Sequence, residues 1–159
     1  MAEFVGNATG VGRRFAIVAS RFNLEIVEKL LDGALETLVD KGVALEDIDV
    51  VWVPGAWELP IAARRLLASD RYSGIVAVGA VIRGDTPHFE YVCNECARGL
   101  AQASAEFDVP IGFGVLTTDN DAQAEARAGG DMGNKGHEAA MAALEMADLF
   151  DRLDVANES

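Results

Sequence analysis

The chain has 159 residues, about one domain's worth, and half of them are apolar. Its 26 Asp and Glu outweigh 13 Lys and Arg, for a formal net charge of −13. The charge excludes general nucleic-acid binding, which wants a basic footprint, and the apolar half excludes the composition of a disordered chain.

Residues 1–13 are glycine-rich and unpatterned and read as an N-terminal arm. The first strand is predicted over Phe15–Ala19. Asn23–Lys41 follows, with Val27, Leu30, Leu31, Ala34, Leu35 and Leu38 at helical spacing. Asn23 stands in the N-cap place and Gly42 at the C-terminal stop. A second strand is predicted over Ile48–Val53, and a helix over Trp57–Ser69 with Pro60 in its tolerant first turn. The third strand is Ile75–Ile82, the next helix Phe89–Phe107, and the fourth strand Pro110–Leu116. Ala128–Gly136 reads as a glycine-rich loop. Lys135–Leu153, rich in Ala, Leu, Met and Glu, is the last helix. Residues 154–159 read as a polar tail. The strands are nearly continuous in Val, Ile, Leu and Ala rather than alternating, as in strands buried on both faces. The order βαβαβαβα predicts one α/β domain over 14–153, a doubly wound parallel sheet with helices on both faces.

The start of the chain has no basic segment followed by a long apolar stretch, so no targeting peptide is expected. No run approaches the ~20 apolar residues of a membrane span. Cys93 and Cys96 form a C-x-x-C, but within a helical pattern and with only two histidines elsewhere. Neither a structural zinc site nor a redox motif at a strand-to-helix turn fits that placement. Two reduced helix residues in a cytoplasmic protein are expected.

Ligands of such folds bind outside the carboxyl ends of the strands. That rule selects Ser20–Asn23, Pro54–Glu58, Arg83–His88 and Thr117–Asn120. No G-x-G-x-x-G follows the first strand, and no G-x-x-x-x-G-K-[ST] or G-x-S-x-G occurs. Gly84-Asp85-Thr86 runs into a helix, where backbone N–H groups favour an anion. An ordinary N-cap by Asp85 or Thr86 is the competing reading, and the Asp85 charge argues mildly against an anion. His88 is either a surface histidine or a general acid/base, the work for which histidine is the usual residue near neutral pH. Phe22 and Trp57 either pack or stack on a planar ring. Glu58 either favours a helix dipole or accepts hydrogen bonds from hydroxyls. Arg127 and Lys135 flank the glycine loop in a chain with only three lysines, which makes them anion-site candidates.

R-F-N at Arg21–Asn23, P-G-A-W-E-L-P at Pro54–Pro60 and G-A-V-I-R-G-D-T-P-H-F-E-Y-V at Gly79–Val92 resemble the lumazine synthase family. So do F-G-V-L-T-T-D-N at Phe113–Asn120 and G-N-K-G-H-E-A-A-M-A-A-L-E-M-A at Gly133–Ala147. The resemblance runs from about Phe15 to Leu153. It implies a flavodoxin-like, four-stranded parallel sheet and the penultimate step of riboflavin synthesis. There 5-amino-6-(D-ribitylamino)uracil condenses with 3,4-dihydroxy-2-butanone 4-phosphate, giving 6,7-dimethyl-8-ribityllumazine, phosphate and water. No metal or redox cofactor is expected. By position, Phe22 would stack on the pyrimidine. Ala56, Trp57 and Glu58 would meet the ribityl chain. Main chain at Ala80, Val81 and Ile82 would hold the ring edge. Asp85 and Thr86 would offer N–H groups to the phosphate, and His88 would move protons. Phe113, Arg127 and Lys135 would come from a neighbouring subunit, the two cations meeting the phosphate. The resemblance also implies pentamers, in some members assembled into a shell of twelve. Nucleic acid and membranes are not expected partners. Two other readings stay open at this level: an archaeal-type riboflavin synthase, and a flavin-binding or shell protein without catalysis.

Overall fold

Phe15–Ser20 forms β1, which is wholly buried. Its side chains alternate between two cores. Phe15, Ile17 and Ala19 join one, Ala16 and Val18 the other, as the period of two in a strand requires. The structure, a computed structural model, describes residues 1–158. After β1 come α1 (Leu24–Asp40), β2 (Ile48–Val53), α2 (Leu59–Leu67), β3 (Gly74–Ile82), α3 (His88–Phe107) and β4 (Ile111–Thr118). A short α4 (Asp121–Ala126) and a small antiparallel hairpin, β5 (Ala128–Gly130) with β6 (Gly133–Asn134), lead into α5 (Lys135–Asn157).

The strands form one parallel sheet in the order β2-β1-β3-β4, as the α/β reading predicted. On one face α1 offers Val27, Leu30, Ala34 and Leu38, and α5 offers Ala139, Ala140, Ala143 and Leu144. On the other, α2 and α3 offer Leu59, Ala63, Cys96, Leu100 and Ala103. With both faces covered, the central strands β1 and β3 need no polar side, so their runs are continuously apolar up to Ala19 and through Ile82. Among the described residues, no helix is long and apolar enough to cross a membrane.

The boundaries differ from expectation in places with physical causes. Asn23 does sit at the head of α1, but in the left-handed region, φ 61°, and its side chain caps nothing. It donates instead from Nδ2 to the Ala80 carbonyl, 2.9 Å away. The helix read from Trp57 begins as a 3-10 turn over Ala56–Glu58 and becomes α-helical only at Leu59. The glycine-rich loop is in fact the β5–β6 hairpin. It is stitched down by Asn134, whose Oδ1 accepts from Gly136 and His137 while Nδ2 donates to the Lys29 carbonyl.

The last helix runs to Asn157, through most of the stretch expected as a polar tail. The N-terminal arm explains this. Phe4 and Val5 line one small hollow with Asp151, Arg152 and Val155, so the extra turn has something to pack on. The arm is further pinned by Asp148, which accepts from the Asn7 amide at 2.7 Å and pairs with Arg13 at 3.2 Å.

Candidate active site

The sheet order reverses between β1 and β3, because the chain leaves β1 for β2 on one side and returns to β3 on the other. A crevice of about 950 Å³ opens at the carboxyl ends of β1, β2 and β3, where that reversal leaves room.

Its walls are stitched together by backbone. Arg21 N–H donates to the Val53 carbonyl at 2.8 Å, and Phe22 N–H to that of Pro54 at 3.1 Å. Asn23 adds the bond to Ala80. Phe22 is thus held between β2 and β3 while its ring stays 69% exposed at the mouth. Trp57, 57% exposed, stands on the far wall. Two exposed aromatics on a rigid frame suit a flat, partly apolar ligand.

The turn after β2 carries the acid. Glu58 N–H donates to the Gly55 carbonyl at 3.1 Å, closing the 3-10 turn. A Cβ on Gly55 would lie 3.5 Å from Glu58 Oε1, so the carboxylate folds back over the glycine. Glu58 lines the crevice and is half-buried. Its oxygens accept no hydrogen bond among the described residues, which leaves both available to hydroxyl donors.

After β3 the chain turns through Gly84 and Thr86 into α3. Gly84 has an ordinary φ, and a Cβ there would meet nothing within 4 Å. Nothing in the protein requires a glycine at this place; the open space lies on the crevice side. Thr86 Oγ1 accepts from His88 N–H at 3.4 Å, a loose cap on α3. His88 is the first residue of α3, exposed and facing the crevice. Its ring makes no hydrogen bond among the described residues. His137, the other histidine, is already engaged. Thr37 Oγ1 donates to the Gly33 carbonyl at 2.7 Å, so it accepts from His137 Nδ1–H at 2.6 Å.

Of the residues singled out in the sequence, the crevice unites Phe22, Ala56, Trp57, Glu58, Ala80, Val81, Ile82, Thr86 and His88. Asp85 is exposed and does not line it. Phe113 lies mid-strand on the edge strand β4, about 16 Å along the strand from its carboxyl end, and is 42% exposed. Arg127 and Lys135 stand together: Lys135 N–H donates to the Arg127 carbonyl at 2.9 Å across the hairpin. That hairpin packs beside α1 and α5, and neither Arg127 nor Lys135 lines this crevice. Phe89, Tyr91 and Val92 were missed by the sequence reading. Tyr91 and Val92 follow His88 by three and four residues, so one helix face carries all three toward the ligand space.

The C-x-x-C lies on α3. Burial pushes the Cys96 thiol up to about 12, with Cys93 adding to the shift, so it stays protonated at neutral pH.

A family model described as 6,7-dimethyl-8-ribityllumazine synthase matches residues 12–151. The chain is also 63% identical to a protein of that name from Gemmatimonas aurantiaca, over 99% of this chain and 96% of that protein.

Proposed function

Since the chain belongs to the 6,7-dimethyl-8-ribityllumazine synthase family, we propose from that premise how its residues divide the work. The chain is an enzyme of riboflavin biosynthesis. It condenses 5-amino-6-(D-ribitylamino)uracil with 3,4-dihydroxy-2-butanone 4-phosphate to 6,7-dimethyl-8-ribityllumazine, phosphate and water.

In this reading the crevice holds the pyrimidine. Phe22 stacks on the ring, main chain at Ala80, Val81 and Ile82 meets its edge, and Ala56, Trp57 and Glu58 receive the ribityl chain. The observation that carries the reading is the meeting of Phe22, Glu58, Thr86 and His88 in one crevice, brought there by the three turns that follow β1, β2 and β3. Condensation removes water and elimination removes phosphate, and both need proton transfers. One positioned histidine supplies such transfers at ~10²–10⁴-fold. His88, with its ring unengaged beside the crevice, is the proton carrier. N–H groups of the Asp85–Thr86 turn meet the phosphate, whose departure is easier where dipoles and cations stabilise its charge.

The cations come from another copy of the chain. Arg127 and Lys135 lie together but away from their own crevice, and Phe113 is too far down β4 to reach it. A neighbour that brings all three to the crevice mouth completes the site, so the working unit is an oligomer, read as a pentamer. A cytoplasmic setting belongs to the same reading, since two cysteines on one helix offer no disulfide framework.

The test is complementation. His88→Ala and Arg127→Ala are each expected to be nearly inactive. Mixing the two, dissociating and reassembling them, is expected to restore lumazine fluorescence from the two substrates. Some sites then combine an intact His88 with an intact neighbouring Arg127. Reassembled mixtures no more active than either parent would overturn the shared site.

A further inference from the structure

Arg83 is the cation nearest in sequence to the Gly84–Thr86 turn, yet its guanidinium is committed elsewhere. Its Nε donates to Asp119 Oδ1 at 3.0 Å, beyond the end of β4. Its Nη1 reaches Glu90 Oε1 at 3.5 Å, in the first turn of α3. The guanidinium carbon lies 4.5 Å from the centroid of the Phe89 ring. Its backbone N–H donates to the Thr118 carbonyl at 2.8 Å. One side chain therefore grips both residues that follow His88 and ties them to the next strand.

The turn it spans has little else to hold it. Residues 83–88 are exposed except for their backbone bonds, and the space beside Gly84 is open. On the other side the grip continues. Asp119 N–H donates to Gln123 Oε1 at 2.8 Å, and the Gln123 carbonyl accepts from Arg127 Nη1 at 3.1 Å.

We propose that Arg83 is a positioning residue for the condensation, fixing the Gly84–His88 turn against the end of β4 without touching the reactants. The inference rests on the reading of His88 and Thr86 given above. A planar guanidinium does this work because it forks to two carboxylates and lies flat on a ring at once. An ammonium makes only point contacts. If the turn drifts, His88 and the N–H groups move relative to a ring that Phe22 and β3 still hold.

Arg83→Gln is therefore expected to lower kcat roughly tenfold, a part of the ~10²-fold that a misplacement of about 1 Å costs. It should also raise KM for the phosphorylated substrate. Affinity for the pyrimidine, measured by equilibrium titration, should stay within about twofold, because Phe22 and the β3 main chain read as its partners keep their own hydrogen bonds. Asp119→Asn should act in the same direction. The double variant should be no slower than Arg83→Gln alone, because partners in one contact are non-additive. Arg83→Lys should restore only part of the rate. A wild-type kcat in Arg83→Gln, an equal loss of pyrimidine affinity, or additive effects in the double variant would each overturn the proposal. Should Arg83→Gln fail to fold, Arg83→Lys and Asp119→Asn decide by the same split between kcat and pyrimidine affinity. His88→Ala, run in parallel, separates the two layers. If it keeps the full rate, the reading of His88 falls and takes the proposal with it. If it slows while the Arg83 and Asp119 variants do not, only the proposal falls.

Discussion

At the scale of single residues, His88 and Arg127 are asked for different things. His88 faces the crevice with a ring that no group among the described residues engages. His88→Ala should slow turnover by at least about a hundredfold while leaving ligand affinity nearly intact, as loss of a general acid/base does. An unchanged rate in a two-substrate fluorescence assay removes it as the main proton carrier. Arg127 does not line the crevice of its own chain, and the role proposed for it concerns the phosphate alone. Arg127→Ala should raise KM for the phosphorylated substrate far more than it weakens pyrimidine binding. Equal losses in both titrations would contradict that assignment. Phe22, Glu58 and His88 were legible in the sequence because each follows a strand whose end the periodicity had placed. Asn23 was legible only in position. A hydrogen bond to Ala80, 57 residues away, replaced the local cap that its residue type suggested.

At the scale of elements, the arm and α5 form a unit that the pattern did not announce. Asp148 is at its centre. The Asn7 amide, and after it Arg152 and Arg13, hold its carboxyl at about 2, down from 3.8. A carboxyl depressed on folding stabilises the native state above its unfolded pKa. That contribution is lost as pH falls through the folded value, here from about pH 4 to about pH 2. Asp148→Asn should therefore lower the melting temperature at neutral pH and flatten the decline across that acid window. It should also speed proteolytic cleavage within residues 1–13. An arm as protected in the variant as in the parent would show that other contacts carry the docking. The strands, by contrast, were legible nearly to the residue. β2 spans Ile48–Val53 as predicted, although it is an edge strand carrying Asp49, because its Val- and Trp-rich composition favours a strand.

At the scale of the whole molecule, a net charge of −13 stands against an anionic substrate. Long-range attraction is unfavourable, so the proposed site relies on local exceptions: the turn after Gly84, and the Arg127–Lys135 pair proposed to come from a neighbour. Exposed apolar side chains support that assembly. Trp52 and Val50 on the edge strand β2, and Phe113 on the opposite edge, are all about 40% exposed. Light scattering at neutral pH is expected to give a particle at least five chains in mass. A particle the size of one chain, active with both substrates, would remove the neighbour from the site.

The sequence by itself determined the layer order, the strands and the loops that carry the ligand. Those follow from short-range periodicity and from the rule that crevices open at the carboxyl ends of parallel strands. Tertiary structure alone decided which cations are paired with carboxylates. Arg83, beside the anion-favouring turn, is consumed by Asp119, Glu90 and Phe89, while Arg127 and Lys135 meet across the hairpin and do not line the crevice. The reason is physical. Periodicity records which side of an element is buried. A charged side chain's partner depends on which elements become neighbours across the order β2-β1-β3-β4, and chain order does not contain that adjacency.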